Sequence, residues 1–408
     1  MLPALVLMLS GVPDAALFEK ARTLMAETLA KQSNYVCLET IDRSQRVSAK
    51  ERFNKVDSIR VEVAFIGKRE LYSWPGARKF DDKDLLDLVS NDGAISTGAF
   101  AGHVQKLMNA KTADVGSGEW INQHGKQRAR FPFAVPVSRS RYKVMKTRYY
   151  GAIVEYSGEI WIDPDTERIT RLRLRSDSIP EDIGIDVTET DIEYGAATIG
   201  TKEFWLPVHS TESVVYGIGP TDRNSIRLSG CHEFTGESKI SFGEDVSGSN
   251  DSGSTTPVVE VPAGIDFEIQ FTEAVNTSSL HVGDLIPATL TSEIKHNDTV
   301  LFAKGSAVEV RLVRFRKTPL QMMLSVALGE VSSSTATARL LASPHVLQKT
   351  YTIQRGKTRE TDFEIRRDME RPSLGTIYMR GASLRLPKGY RTSWVTTALS
   401  RVPKEERQ

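Results

Sequence analysis

Gly230-Cys231-His232 sets a thiol beside an imidazole, the two groups from which a thiolate nucleophile is made. The surrounding Arg227-Leu-Ser-Gly-Cys-His-Glu-Phe234 reads as a strand, and adjacent side chains of a strand point to opposite faces. His232 therefore cannot readily serve Cys231, and a structural cysteine is expected. The remaining histidines, His103, His124, His209, His281, His296 and His345, show no His-x-x-x-His spacing. Neither Cys37 nor Cys231 has a second ligand at zinc-finger distance. The sequence carries no Gly-x-Ser-x-Gly, Walker or Rossmann pattern.

Carboxylates crowd Ile185–Tyr194, with Asp186, Glu189, Asp191 and Glu193. Calcium needs several oxygens converging from a turn, and the glycine of an EF-hand loop is missing here. Nearby, Arg171, Arg173 and Arg175 alternate with Leu172 and Leu174, so one face is wet and the other buried. The arginines invite an anion-site reading. A solvated sheet face on which the acidic and basic rows pair across strands is the simpler account. Nothing singles out two carboxylates as a glycosidase-like pair. No catalytic residue, metal or cofactor is assigned.

The chain has 408 residues, enough for two domains. Its 53 Lys and Arg balance 52 Asp and Glu, so a global attraction to nucleic acid or an anionic membrane is not supported. No run approaches the roughly 20 apolar residues of a transmembrane helix. Residues 1–16 resemble a secretory signal through the short apolar stretch from Leu2 to Gly11, although Met1 is followed by Leu2 with no basic region. There is no lipobox cysteine near it. In an exported chain the isolated pair Cys37 and Cys231 is expected to form a disulfide, with two unrelated buried thiols as the alternative. Such a bridge would join the first strand of a domain to its last.

Residues 244–258, within Gly243–Pro257 and its flank, are rich in Gly, Ser and Asp and read as a flexible linker. It separates a domain over 17–243 from one over 259–398, with a polar tail at 399–408. Pro13-Asp14 starts a helix carrying Leu17, Ala21, Leu24, Met25 and Leu29 at helical spacing. The period then falls to two over 34–41, 60–66 and 69–74, with a tight Gly67-Lys68 turn. Helical patches are expected at Asp84–Val89 and Thr97–Asn109. Strands resume at Glu159–Asp163, Arg168–Arg175, Val187–Tyr194, Lys202–Pro207, Ser210–Tyr216 and Ser225–Phe234. The fold class is mainly β with helical insertions: an N-terminal helix on a curved antiparallel sheet, a half-barrel, then a smaller C-terminal β-barrel or sandwich. Gly264, Gly305 and Gly389 each follow a two-residue lead-in and launch a strand, as type II turns at barrel corners do.

A groove between helices and sheet could be lined by Trp74, Phe100, Val104, Leu107, Met108, Trp120 and Trp161. As core alone these residues need no ligand, and core is the simpler account. An apolar groove without catalytic groups suits a lipid or acyl chain.

The motifs Asn34-Tyr-Val-Cys-Leu-Glu-Thr40, Tyr156-Ser-Gly-Glu-Ile-Trp-Ile-Asp-Pro-Asp-Thr166, Phe204-Trp-Leu-Pro207 and Arg227–Phe234 resemble a family of uncharacterised exported acidobacterial proteins. The helix-plus-curved-sheet layout is similar to the LolA/LolB-type lipoprotein carriers, although no carrier residue transfers by position. Val261-Pro-Ala-Gly264, Val282-Gly-Asp284 and Leu301-Phe-Ala-Lys-Gly-Ser-Ala-Val-Glu-Val310 resemble the β-barrel domain of TrbI/VirB10-type envelope proteins. Ala303-Lys304 stands where Pro-Lys is usual, and the membrane anchor and helical antenna of the secretion-channel protein have no counterpart. Channel formation is therefore not expected of the barrel.

These resemblances imply a non-catalytic, periplasmic or otherwise exported envelope protein. Its first domain would bind a hydrophobic ligand, lipid or lipoprotein, and its barrel an envelope protein partner. The alternatives are a structural or regulatory module that binds proteins only, and a hydrolase of envelope polymers, which would need two carboxylates converging in a cleft.

Overall fold

The computed structural model of the chain describes residues 11–31, 34–66, 69–77, 80, 85–89, 94–95, 104, 107, 112–123, 125–147, 149–217, 219–234, 257–317, 321–345, 364–368, 371–380 and 385–398. Most of the signal-like segment, the Gly67-Lys68 turn, most of Thr97–Asn109 with Phe100 and Met108, the linker up to 256 and the polar tail lie outside the described residues. The chain divides into two compact units, residues 1–242 and 243–408.

The first unit opens with α1 (Ala15–Lys31). Asp14 caps it: its side chain accepts the Ala16 N–H at 3.0 Å, satisfying one of the free donors of the first turn. Phe18, Ala21 and Met25 form the buried stripe, whereas Leu24, one of the expected apolar positions, is 37% exposed. A four-residue helix, α2 (Leu85–Leu88), follows inside the expected 84–89 patch.

Among the described residues of this unit there are thirteen strands. They are β1 (Tyr35–Arg46), β2 (Asn54–Ile66), β3 (Arg69–Ser73), β4 (Asp114–Val115), β5 (Glu119–Gln123), β6 (Lys126–Val135), β7 (Lys143–Met145), β8 (Gly151–Ile153), β9 (Tyr156–Asp163), β10 (Arg168–Ser176), β11 (Val187–Ile199), β12 (Lys202–Val215) and β13 (Thr221–Glu233). One antiparallel sheet runs β3-β2-β1-β13-β12-β11-β10-β9-β6-β4, with β5 also on β6 and β7–β8 a separate hairpin. Among the described residues its end strands β3 and β4 do not pair with each other, which leaves the sheet open there.

Two strands expected at 202–207 and 210–216 are one. The partner β11 pairs Glu193 with His209 and Tyr194 with Pro207, and this bulge accommodates the proline that looked like a strand end. β5 and β6 add to the expected elements; β6 contains Pro132, opposite Glu159.

First-to-last pairing of β1 with β13 brings Cys37 and Cys231 together as a disulfide across 194 residues. Loop closure over that span is worth about 5 kcal/mol in the chain-entropy model. The expected charge rows also pair: Arg171 with Glu193, Arg173 with Asp191 and Arg175 with Glu189. Ion pairs join Arg171 to Asp191 and Arg175 to Glu189.

The second unit contains β14 (Asp266–Phe271), β15 (Val275–Asn276), β16 (Leu285–Leu290), β17 (Ile294–His296), β18 (Thr299–Phe302), β19 (Ala307–Lys317), β20 (Gln321–Ser332), β21 (Thr337–Arg339), β22 (Ala342–Pro344), β23 (Glu364–Arg367), β24 (Gly375–Arg380), β25 (Arg385–Leu386) and β26 (Arg391–Thr396). The main sheet runs β22-β26-β14-β16-β19-β20-β24-β23, and its ends β22 and β23 touch, giving a nearly closed barrel. Gly264, Gly305 and Gly389 hold φ of 89°, 91° and 83°, the left-handed values their turns require. Trp394 is fully buried in the core with Phe271 and Phe302.

Candidate functional site

Strand register defines the inner face of the first sheet. Partners opposite each other in an antiparallel pair share a face. One row therefore reads Phe131, Ile160, Leu172, Ile192, Ser210, Ile226, Ile41 and Ile59 across β6, β9, β10, β11, β12, β13, β1 and β2. Every member is buried, and only Ser210 is polar. The next row reads Phe133, Gly158, Leu174, Thr190, Glu212, Asn224, Arg43 and Asp57. It is apolar at the β6 end and polar from β11 onward. Gly158 is required there, because a Cβ would lie 1.9 Å from the Arg173 carbonyl oxygen and 2.8 Å from the Phe133 ring.

Helix α1 covers the apolar end. Phe18, Ala21 and Met25 join one core with Phe131, Phe133, Ile160, Leu172 and Ile192. The rings of Phe18 and Phe131 are 5.5 Å apart. A cleft of about 50 Å³ remains between α1 and the sheet, lined by Ala21, Leu24, Met25, Thr28, Ile169 and Trp205. Ligand pockets are usually several hundred Å³, so in this conformation the space is filled by the protein's own side chains.

Of the groove residues expected from sequence, Val104 and Leu107 are buried in that same core and Trp120 packs against it. Trp161 does not face it. Its row is Glu119, Arg130, Trp161, Arg171 and Glu193, on the outer face, where the Arg171 guanidinium lies 5.0 Å from its ring centre. Alternation beside Ile160 and Ile162 dictates this placement. Trp74 follows β3, at the opposite end of the sheet from the strands under α1. Phe100 and Met108 lie outside the described residues.

The polar end was not anticipated, although the period-two pattern of Tyr35, Cys37, Glu39, Ile41 and Arg43 puts all five on one face. Arg43 grips Asp57 with two hydrogen bonds, Nε to Oδ1 at 2.7 Å and Nη2 to Oδ2 at 2.5 Å. Asp222 accepts from Gln45 at 2.9 Å, the Tyr216 hydroxyl at 3.1 Å and the Ala94 N–H at 2.8 Å. Other groups are less well satisfied. Glu39 Oε2, Arg43 Nη1, Ser210 Oγ and the Tyr194 hydroxyl are buried without a hydrogen-bond partner among the described residues. Burial, and then the charges of Glu70 and Glu212, raise the Glu39 carboxyl well above its ordinary value.

Glu39 and Glu212 are only 2% and 4% exposed, on the inner face of the sheet. Among the described residues no three His, Cys, Asp or Glu side chains converge as metal ligands. No described helix is long and apolar enough to cross a membrane.

No family model matches the chain, and no curated protein matches it. Among solved structures, a DUF1329 family protein from Desulfovibrio piger is similar over 54% of this chain and 93% of its own length, at 10% identity and a TM-score of 0.30.

Proposed function

We propose that this is a non-catalytic, exported cell-envelope protein whose first unit binds a hydrophobic molecule or a lipid-modified partner beneath α1. The observation that carries this reading is the unbroken apolar row from Phe131 to Ile192, against which α1 packs through Phe18, Ala21 and Met25. The sheet is held by its ladders, whereas α1 is held by Phe18, Ala21, Met25 and an exposed Lys20–Glu167 ion pair at 2.7 Å. Moving α1 would uncover the row without breaking a strand ladder. The disulfide supports an oxidising compartment. The similarity of its helix-plus-curved-sheet layout to the LolA/LolB-type carriers supports the same reading, and the C-terminal barrel would dock on an envelope protein.

The test is native mass spectrometry of protein expressed into a periplasm, before and after mild organic extraction. A removable adduct of lipid mass is expected. A clean mass in both samples would instead support the second reading, in which α1 is permanent core and both units bind proteins. The small cleft beside α1 favours that alternative.

A further inference from the structure

We propose that the mouth of the β1–β2 hairpin binds a phosphate group, held by the guanidinium groups of Arg46 and Arg223 beside the Phe53 ring. The site lies on the outer face of the sheet, apart from the space under α1, and does not depend on what that space holds.

Arg46 is the last residue of β1, and Phe53 immediately precedes β2. The last pair of the hairpin, Gln45 with Asn54, leaves the two facing each other across its mouth. Arg223 reaches the same ring from β13, where it stands opposite Ser44. The guanidinium carbons of Arg46 and Arg223 lie 4.7 and 3.8 Å from the ring centre, so one ring attracts both cations.

No acid answers these two charges. Elsewhere on the outer face, Arg171 and Arg175 are tied to Asp191 and Glu189. Among the described residues, the Arg223 side chain has the ring contact but no hydrogen bond or ion pair. Arg46 reaches only the Ala49 carbonyl oxygen, at 3.3 Å, and its buried Nε has no partner among the described residues. Along the row of Arg223 the next acid is Glu189, which lies beyond Ser213 and is taken by Arg175. Burial, and then the charge of Arg46, lower the Arg223 guanidinium from its ordinary value, with Glu189 a lesser opposing influence.

Two like charges are thus drawn together with hydrogen-bond donors to spare. A phosphate at the edge of the ring has oxygens enough to accept from both guanidinium forks, and its charge relieves their repulsion. A carboxylate offers only two oxygens for the two forks. Lys50 and Arg52 are exposed in the same loop, which holds the one acid Glu51, and they add to the positive field an anion would meet.

Full-length protein is titrated calorimetrically with glycerol phosphate at constant ionic strength. It is also sedimented with vesicles of phosphatidylcholine, alone or with phosphatidylglycerol added. Arg46→Gln and Arg223→Gln should each weaken phosphate binding roughly ten-fold through loss of a charge-assisted fork. Arg46→Lys and Arg223→Lys keep the charge and should lose less; they replace any glutamine variant that does not fold. Lys126→Gln, at the far end of the sheet, should change nothing. Phosphatidylglycerol-dependent sedimentation that both glutamine variants abolish assigns the phosphate to a lipid headgroup. Binding of glycerol phosphate without such sedimentation assigns it to a soluble ester. Failure of the native protein to bind either probe, or an equal loss in Lys126→Gln, would overturn the site, as would binding that both glutamine variants retain.

Discussion

Glu39 shows how a single side chain can set a pH dependence. Its folded-state value lies well above the ordinary 4.5, chiefly through burial. Below that ordinary value the carboxyl is neutral in both states and its burial costs no charge. As pH rises toward the folded value, the unfolded chain releases the proton first, so stability is lost with rising pH. Glu39→Gln removes this penalty. The melting temperature of the first unit should rise by roughly 3–8 °C at pH 8 and by under about 1 °C at pH 4. A shift of equal size at both values would refute the assignment. Arg43 and Asp57 behave differently because they are paired. Asp57→Ala leaves a buried guanidinium without its partner and should cost about 3–5 kcal/mol in urea titrations. Replacing both, Arg43→Met with Asp57→Leu, should recover most of that loss.

At the scale of elements, α1 and the β1–β13 closure are the two devices that complete the first unit. Phe18 is the largest side chain that α1 buries, against the Phe131 ring, and Phe18→Ala should destabilise by about 3–5 kcal/mol through lost burial and an unfilled cavity. Chemical denaturation of the variant measures that loss, and unchanged unfolding would show that Phe18 is not part of the core. The disulfide staples β1 to β13 where ladder hydrogen bonds already join them. Converting Cys37 and Cys231 to serine should still cost about 2–5 kcal/mol, because the unfolded chain regains the freedom of a long loop. Helix α1 was legible in the sequence because Pro13-Asp14 and the spacing of Leu17, Ala21, Leu24, Met25 and Leu29 are local signals, although Phe18, not Leu24, joins the buried stripe. β6 was not, because Pro132 interrupts the alternation of Phe131 and Phe133; in the sheet, only Gly116 and the short β4 flank that position on the other side. β12 was split in two by Pro207, and only its pairing with β11 shows the bulge that keeps it whole.

At the scale of the molecule, the two units have separate cores and closure rules: an open sheet filled by a helix, and a barrel whose first and last strands meet. Their junction has the composition of a linker. Limited proteolysis is expected to cut between residues 234 and 257 and release two protease-resistant fragments with independent melting transitions. A single cooperative transition for the intact chain that disappears on cleavage would contradict two autonomous units.

The sequence by itself determined the helix, the alternation of most strands, the corner glycines of the barrel and the wet arginine and acid rows, since each is written in residues a few positions apart. Alternation also fixed the face of each strand residue, so Trp161 could have been excluded from the groove beside Ile160 and Ile162. Only the tertiary structure decided who stands beside whom. That Ser210 lies in line with Ile41, and Glu212 in line with Arg43 and Asp57, depends on β12, β13 and β1 being neighbours in one register. Register is set by pairings between residues far apart in the chain, and a local period of two contains no information about them.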